Sequence, residues 1–235
     1  MVQRIAQVAR RAAGVRGTLA DQGAVRMPAL IDGVARAELV ALFEQLPARQ
    51  AGRRLPPKAV AALAGVRAIT AMARTLLNPD ARVVRALLFD KTAEANWALG
   101  WHQDRTIEVA ERRVVPGFGP WTIKAGRPHV APPPALLAEM LTVRLHLDPV
   151  DEDNAPLIIA PGSHRLGLVP EAETAATVEK CGTATCLAGT GDAWVYGTLI
   201  LHASRPANRP RHRRVLQLDY AAESLPGGLA WAGDA

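Results

Sequence analysis

His102, Gln103 and Asp104 stand together near the middle of the chain, and His202 and Arg213 follow much later. Side chains alternate across a β-strand, so a histidine and an aspartate two positions apart present to the same side. If the fold returns His202 beside them, two imidazoles and one carboxylate occupy one side of a metal ion. Other coordination positions then stay open, which is the donor set of non-haem Fe(II) oxygenation sites. With six histidines and eleven aspartates in the chain, the triplet carries little weight without its surroundings. Those surroundings are β-rich. His102 follows Ala95–Trp101, after the apolar run Val83–Phe89; His202 ends Trp194–Leu201, which starts after the turn pair Gly191-Asp192. Arg213 opens a third such run, ending at Tyr220.

The elements that must position these residues change in texture along the chain. Residues 1 to 80 read as mainly helical. Leu39, Val40, Phe43 and Leu46 fall on one face of a helix over Ala35–Leu46, and after the break at Pro56-Pro57 a second helical pattern covers Ala59–Leu77. Asn78-Pro79-Asp80 ends it. From Val83 onward, short β-rich runs are separated by Pro, Gly and Asp. The longest interruption, Val115–Pro134, reads as a loop of the kind that covers a site. Leu141–Leu147 alternates strictly, with Leu141, Val143, Leu145 and Leu147 on one face and Thr142, Arg144 and His146 on the other. If the apolar face packs against helices, the polar face lines a cosubstrate or substrate pocket; for His146 a satisfied core histidine is an equal alternative. Helices first and strands after predict an α+β fold with a sandwich or jelly-roll sheet region.

Composition excludes several classes. At 235 residues and 49% hydrophobic, the chain can bury a core and is expected to form one domain over residues 1–235. No stretch is apolar for long enough to span a bilayer. Met1–Gly17 holds four arginines and no acid, but Ile5, Val8 and Ala12 at helical spacing make it an amphipathic helix rather than a transit peptide. The net charge of +6 comes from scattered arginines, with Lys58, Lys91, Lys124 and Lys180 the only lysines. No aromatic-rich basic motif accompanies them, so nucleic acid is not an expected partner, whereas acidic small molecules would be steered inward. Cys181 and Cys186 read as reduced thiols of a cytoplasmic protein, and no C-x-x-C pair suggests structural zinc. A monomer or homodimer is expected.

The ordered set Leu88-Phe89-Asp90-Lys91, Trp101-His102-Gln103-Asp104, Asn154-Ala155-Pro156-Leu157, Pro161-Gly162-Ser163-His164, His202-Ala203-Ser204 and Arg213 resembles the phytanoyl-CoA dioxygenase-like family. The likeness covers roughly residues 83 to 220. It implies a double-stranded β-helix, cupin-like, with N-terminal helices packed on the major sheet. It also implies Fe(II)- and 2-oxoglutarate-dependent chemistry that consumes O2 and releases succinate and CO2, with ascorbate as reductant. His102, Asp104 and His202 would bind iron. Arg213, with Arg214 as its rival, and Ser204 would bind the distal carboxylate of 2-oxoglutarate. Alternation favours Arg213, because Arg214 shares a side with Leu216, Leu218 and Tyr220. Two departures stand out. A glycine is usual where Ala155 stands, and some relatives carry a pocket tryptophan in place of Arg144.

Retention of Asp104 favours hydroxylation of a small molecule, or a desaturation or rearrangement variant, over halogenation, since halogenating relatives replace that carboxylate. Two alternatives are a non-catalytic β-helix protein that binds metal or a small ligand, and a zinc hydrolase on a cupin-like scaffold. The second leaves Arg213 and Ser204 without a role. Gln103, between the two ligands, should face away from the metal. Trp97, Trp101 and Trp121 read as packing residues, Lys91 as a solvated strand-end lysine, His164 as a turn residue, and His129 and His212 as loop residues.

Overall fold

The computed structural model describes residues 14–44 and 52–234. Residues 14–22 are helical; the rest of the amphipathic segment expected over Met1–Gly17 lies outside the described residues. In chain order the named elements are β1 (Ala24–Met27), α1 (Gly33–Val40), β2 (Gly52–Leu55), α2 (Pro57–Ala61), α3 (Ala64–Leu76) and β3 (Arg82–Lys91). They continue with β4 (Leu99–His102), β5 (Ile107–Glu108), β6 (Trp121–Lys124), β7 (Arg127–Val130), α4 (Pro134–Ala138), β8 (Leu141–His146) and β9 (Leu157–Ile159). The chain closes with α5 (Thr174–Cys181), β10 (Ala184–Cys186), β11 (Ala193–Gly197), β12 (His202–Ser204) and β13 (Arg213–Ala221). Among the described residues no helix is long and apolar enough to cross a membrane.

The strands form a six-stranded sheet, β1-β11-β8-β13-β3-β2, a four-stranded sheet, β10-β9-β12-β4, and a small sheet, β5-β7-β6, all antiparallel. This is the jelly-roll architecture the resemblance implies, with the N-terminal helices on the major sheet. Its main core lies between those helices and the outer face of the six-stranded sheet. Leu39, Val60, Val66 and Ile69 meet Leu88, Val143, Leu145, Leu216, Leu218 and Tyr220 there. Asp32 caps α1 by accepting from the Ala35 N–H at 2.9 Å, and Pro57 starts α2 where its missing N–H is harmless.

Alternation sends the complementary residues to the inner face, toward the four-stranded sheet. The cross-strand rows there are Asp219–Arg85–Thr142, Gln217–Leu87–Arg144 and Val215–Phe89–His146, with Arg213 beside Lys91 past the last row. Arg54 of β2 lies opposite Leu87, and Tyr196 of β11 opposite Thr142. The layer that faces the site is therefore polar and rich in arginine.

Several expectations are corrected. The N-terminal segment is not purely helical, because β1 and β2 form the two edges of the major sheet. The helix expected over Ala35–Leu46 ends at Val40, and the one over Ala59–Leu77 is two helices with a break between Ala61 and Ala64. Leu46 lies outside the described residues. Val115–Pro134 is not a loop. It contains β6 and β7, joined by Ala125 and Gly126 at φ 51° and 76°, the backbone of a type I′ hairpin turn. His202 starts a strand rather than ending one, and Asp104 lies just past the end of β4.

Candidate metal centre

His102 and His202 are register partners in the β4–β12 pair, with ring centroids 4.2 Å apart. Each Nδ1 is fixed by a backbone carbonyl two residues upstream: Gly100 O at 2.8 Å for His102 and Ile200 O at 3.0 Å for His202. With the proton on Nδ1, the Nε2 lone pair of each ring is the one left to a metal. Asp104 lies in irregular chain after β4, yet its carboxylate comes to the same place. One ligand atom from each of the three residues lies within 4.8 Å of the others.

The electrostatics suit a cation. Burial, followed by the charge of His102, pushes the His202 pKa down to about 4, so that ring is neutral near neutral pH. Burial alone would raise the Asp104 carboxyl, but Arg85 and then the two imidazoles hold it well below the usual carboxylate range. Arg85 donates to Asp104 Oδ2 at 2.9 Å and also pairs with the buried Asp219. Sequence reasoning missed Arg85, which lies inside a run that reads as simply apolar. Gln217 Nε2 stands 3.4 Å from the same Asp104 oxygen.

Gln103 points the other way. Its amide donates to Gly167 O at 2.8 Å and Leu199 O at 2.6 Å and accepts from Val169 N–H at 2.9 Å. It ties the 163–169 turn to the chain before His202, so it orders the site without entering it.

Away from the histidines, the inner face carries a second group. Arg213 is buried and donates to Ala155 O, with its Nε unpaired; burial, followed by Arg144, lowers its pKa to about 9. Arg144 donates to Gln217 Oε1 at 3.0 Å, also with an unpaired buried Nε. Ser204 accepts at 2.6 Å from Lys91. Thr142 lies in the row of Arg85 and Asp219, 3.2 Å from the Thr198 hydroxyl, and so belongs nearer Asp104 than Arg213. Arg214 faces outward, where Asp148 takes its guanidinium at 2.8 and 2.6 Å.

The expectation for Lys91 is corrected. It is 1% exposed, donates to Ser204 Oγ and, at 2.8 Å, to Arg205 O, and lies 4.9 Å over the Trp97 ring. Burial, followed by Arg213 and Arg144, lowers its ammonium to about 7. His146 is buried among the same cations with an unpaired Nδ1 and a pKa pushed down to about 3, chiefly by burial. His129 is a fully buried residue of β7, 3.7 Å from Glu108, and not a loop residue. His212 precedes β13 and pairs with Asp90 at 2.8 Å, while His164 binds Ala20 O at 3.1 Å and pins the first described helix. Ala155 sits at φ 51°, a conformation glycine adopts without cost, which accounts for the family's usual residue there.

Comparisons with known proteins agree with this architecture. The structure is similar to the non-heme α-ketoglutarate-dependent epimerase SnoN from nogalamycin biosynthesis. The TM-score is 0.65 at 17% identity, covering 95% of this chain and 87% of that one. It is similar to EctD from S. alaskensis, solved with 2-oxoglutarate and 5-hydroxyectoine, at TM-score 0.63 and 19% identity over 91% and 76% of the two chains. HygX from Streptomyces hygroscopicus, solved with nickel and 2-oxoglutarate, gives 0.61 at 16% identity over 90% and 86%. No curated protein matches significantly by sequence. The sequence pattern of the family described as Phytanoyl-CoA dioxygenase (PhyH) matches residues 48–215, more than half the chain, so the chain belongs to that family.

Proposed function

We propose that this chain is a single-domain Fe(II)- and 2-oxoglutarate-dependent oxygenase that hydroxylates a small molecule. The observation that carries the reading is a juxtaposition on one inner surface. An open two-histidine, one-carboxylate donor set lies near a buried pocket of Arg213, Lys91 and Arg144 in which none of the three has a salt-bridge partner among the described residues. SnoN, EctD and HygX, the neighbours whose structures name α-ketoglutarate or 2-oxoglutarate, support it through shared fold.

The residues present fit the metal. Two Nε2 lone pairs and a carboxylate converge from one side, and the Nδ1–carbonyl bonds fix the ring tautomers. Iron bound there, with 2-oxoglutarate and O2, would supply the oxidative decarboxylation to succinate and CO2 that lets one oxygen atom be inserted into a substrate C–H bond. The chain does the rest. His102, His202 and Asp104 would hold the ion, and Arg85 orients the Asp104 carboxylate through its bond to Oδ2. Arg213, Ser204 and Lys91 bind the distal carboxylate through charge-assisted hydrogen bonds, and Arg144 adds positive potential and lines the pocket with Thr142. Burial of Lys91, Arg213, Arg144 and Ser204 keeps water from that carboxylate grip. Ascorbate would serve as reductant, as in the expectation from sequence. A soluble, cytoplasmic setting and a monomer or homodimer complete the proposal.

The test is turnover without a known substrate. Protein incubated with Fe(II), ascorbate, O2 and 2-oxoglutarate should release succinate slowly, and Arg213→Met should suppress it. A substrate library that accelerates this release identifies the hydroxylated compound. Succinate release at wild-type rate from His202→Ala would contradict the assignment.

A further inference from the structure

A second cationic group lies on the other side of the metal centre. Past Asp104 the chain runs through Thr106 into β5, and the β6–β7 hairpin folds back against it. Lys124, at the end of β6, donates to Thr106 Oγ1 at 2.9 Å; Arg85 reaches both Asp104 Oδ2, at 2.9 Å, and Thr106 O, at 3.5 Å. Lys124 is therefore connected to the metal-side carboxylate through Thr106 and Arg85. Arg54 approaches from β2, on the inner face. Its Nη1 is buried without a hydrogen bond and stands 3.7 Å from Glu108 Oε2.

The carboxylates nearby are shared among several cations. Asp219 pairs with Arg85, Asp104 is assigned to the metal, and Glu108 accepts from Arg127 at 2.7 Å through Oε1, while its Oε2, without a hydrogen bond, stands 3.7 Å from both Arg54 and His129. Among the described residues Lys124 pairs with no carboxylate and bonds only a threonine hydroxyl. Burial, followed by the charge of Arg85, lowers the pKa of both Lys124 and Arg54, as expected for half-buried cations set close to another cation. In the proposed reading the far carboxylate of the cosubstrate is already taken by Lys91 and Arg213, six residues along β3 from Arg85.

We infer that the oxidised substrate is an organic anion whose carboxylate or phosphate group is held by Lys124 and Arg54 beside the metal centre. This deepens the proposed function and rests on it for the position of the reacting atom. The anion grip itself depends only on the hairpin, β2 and the charges between them.

The test uses calorimetric titration of four six-carbon probes: hexanoate, hexyl phosphate, hexanamide and hexylamine. One arm uses protein saturated with Zn(II) and 2-oxoglutarate. The other uses metal-free Arg213→Met, in which the cosubstrate anchor is gone. Hexanoate or hexyl phosphate should bind in both arms, whichever is tighter naming the anionic group, with the amide and amine about tenfold weaker or worse. Lys124→Met should weaken the preferred anion about tenfold, Lys124→Arg should restore it, and Thr106→Val should change it less than about twofold. Thr106→Val separates the grip from a merely structural role, since it cuts the hairpin's bond while keeping the charge.

Equal binding of hexanamide and hexanoate would overturn the inference. So would unchanged anion affinity in Lys124→Met with an unaltered melting midpoint, or no binding of either anion in the two arms. Failure of the oxygenase reading shows separately, as absence of 2-oxoglutarate binding in the first arm, and leaves the Arg213→Met arm decisive for the anion grip.

Discussion

Lys91 and Arg213 are register partners on β3 and β13, so two buried cations stand side by side with Ser204 against one of them. Like charges do not persist together in a buried site unless something anionic joins them, and the lowered pKa of each reports that absence. The pair reads as a receptor for a carboxylate.

Lys91 makes that receptor pH-sensitive. In the free protein its ammonium titrates at about 7, whereas both carboxylates of 2-oxoglutarate stay ionised through that range. Below that point the lysine is already charged, and above it binding must draw in a proton. The neighbours do not reverse the sign, because His146 is held at about 3 and Arg213 at about 9. Affinity for 2-oxoglutarate should fall as pH rises from about 6 to about 8.5, by up to about tenfold per unit above the lysine pKa. Lys91→Arg should flatten that dependence. Calorimetry across pH checks it, and a flat wild-type profile would remove Lys91 from the pocket.

Arg85 carries stability as well as orientation. It is buried between Asp104 and Asp219, and burial already pushes the Asp219 carboxyl upward. Arg85→Met strands a buried carboxylate and should cost about 3–5 kcal/mol in denaturant unfolding. Arg85→Met combined with Asp219→Leu should recover most of that loss. Additive destabilisation of the two changes would contradict the pairing.

Arg214 differs from its neighbour by one residue and by one face. Arg214→Ala removes a bidentate contact to Asp148 on the helix side and should cost about 1 kcal/mol of stability. Its 2-oxoglutarate affinity should match wild type, while Arg213→Met loses it. The reverse result would mean that the strand register is wrong.

Ala155 offers a stabilising change. At φ 51° an alanine is strained by roughly 1–2 kcal/mol, and glycine relieves that at an unfolded-state cost of about 0.4–1 kcal/mol. Ala155→Gly should raise the midpoint of thermal unfolding slightly, with Arg213 still bonded to the carbonyl at that position.

What the sequence made legible follows from the strength of its periodicities. Leu141–Leu147 alternates without exception, and its faces lie as alternation requires, with the leucines and Val143 in the helix-side core. Arg213 and Arg214 separate for the same reason. By contrast, Arg82–Lys91 is apolar at Val83, Val84, Ala86, Leu87, Leu88 and Phe89, so its alternation is blurred, and the inward direction of Arg85 and Lys91 was hidden. Lys91 looked solvated because it ends a strand, whereas Trp97, Ser204 and Arg205 enclose it. The edge strands β1 and β2 are four residues each and partly polar, too short to outweigh helical neighbours. The β6–β7 turn uses Ala125 at positive φ, a residue that signals no such turn, amid a proline-rich stretch that reads as loop. Asp104 reaches the histidines from outside a strand, so the same-face argument led to the right neighbours by an incomplete route.

The central claim is that His102, Asp104 and His202 hold Fe(II) beside bound 2-oxoglutarate. Its most direct measurement is anaerobic absorption spectroscopy of the protein with Fe(II), with 2-oxoglutarate, and with both. The account predicts a visible charge-transfer band only with both, absent in His102→Ala and Asp104→Ala that retain wild-type circular dichroism. A wild-type band in those two variants, or none in the native protein at saturating iron and 2-oxoglutarate, would contradict it.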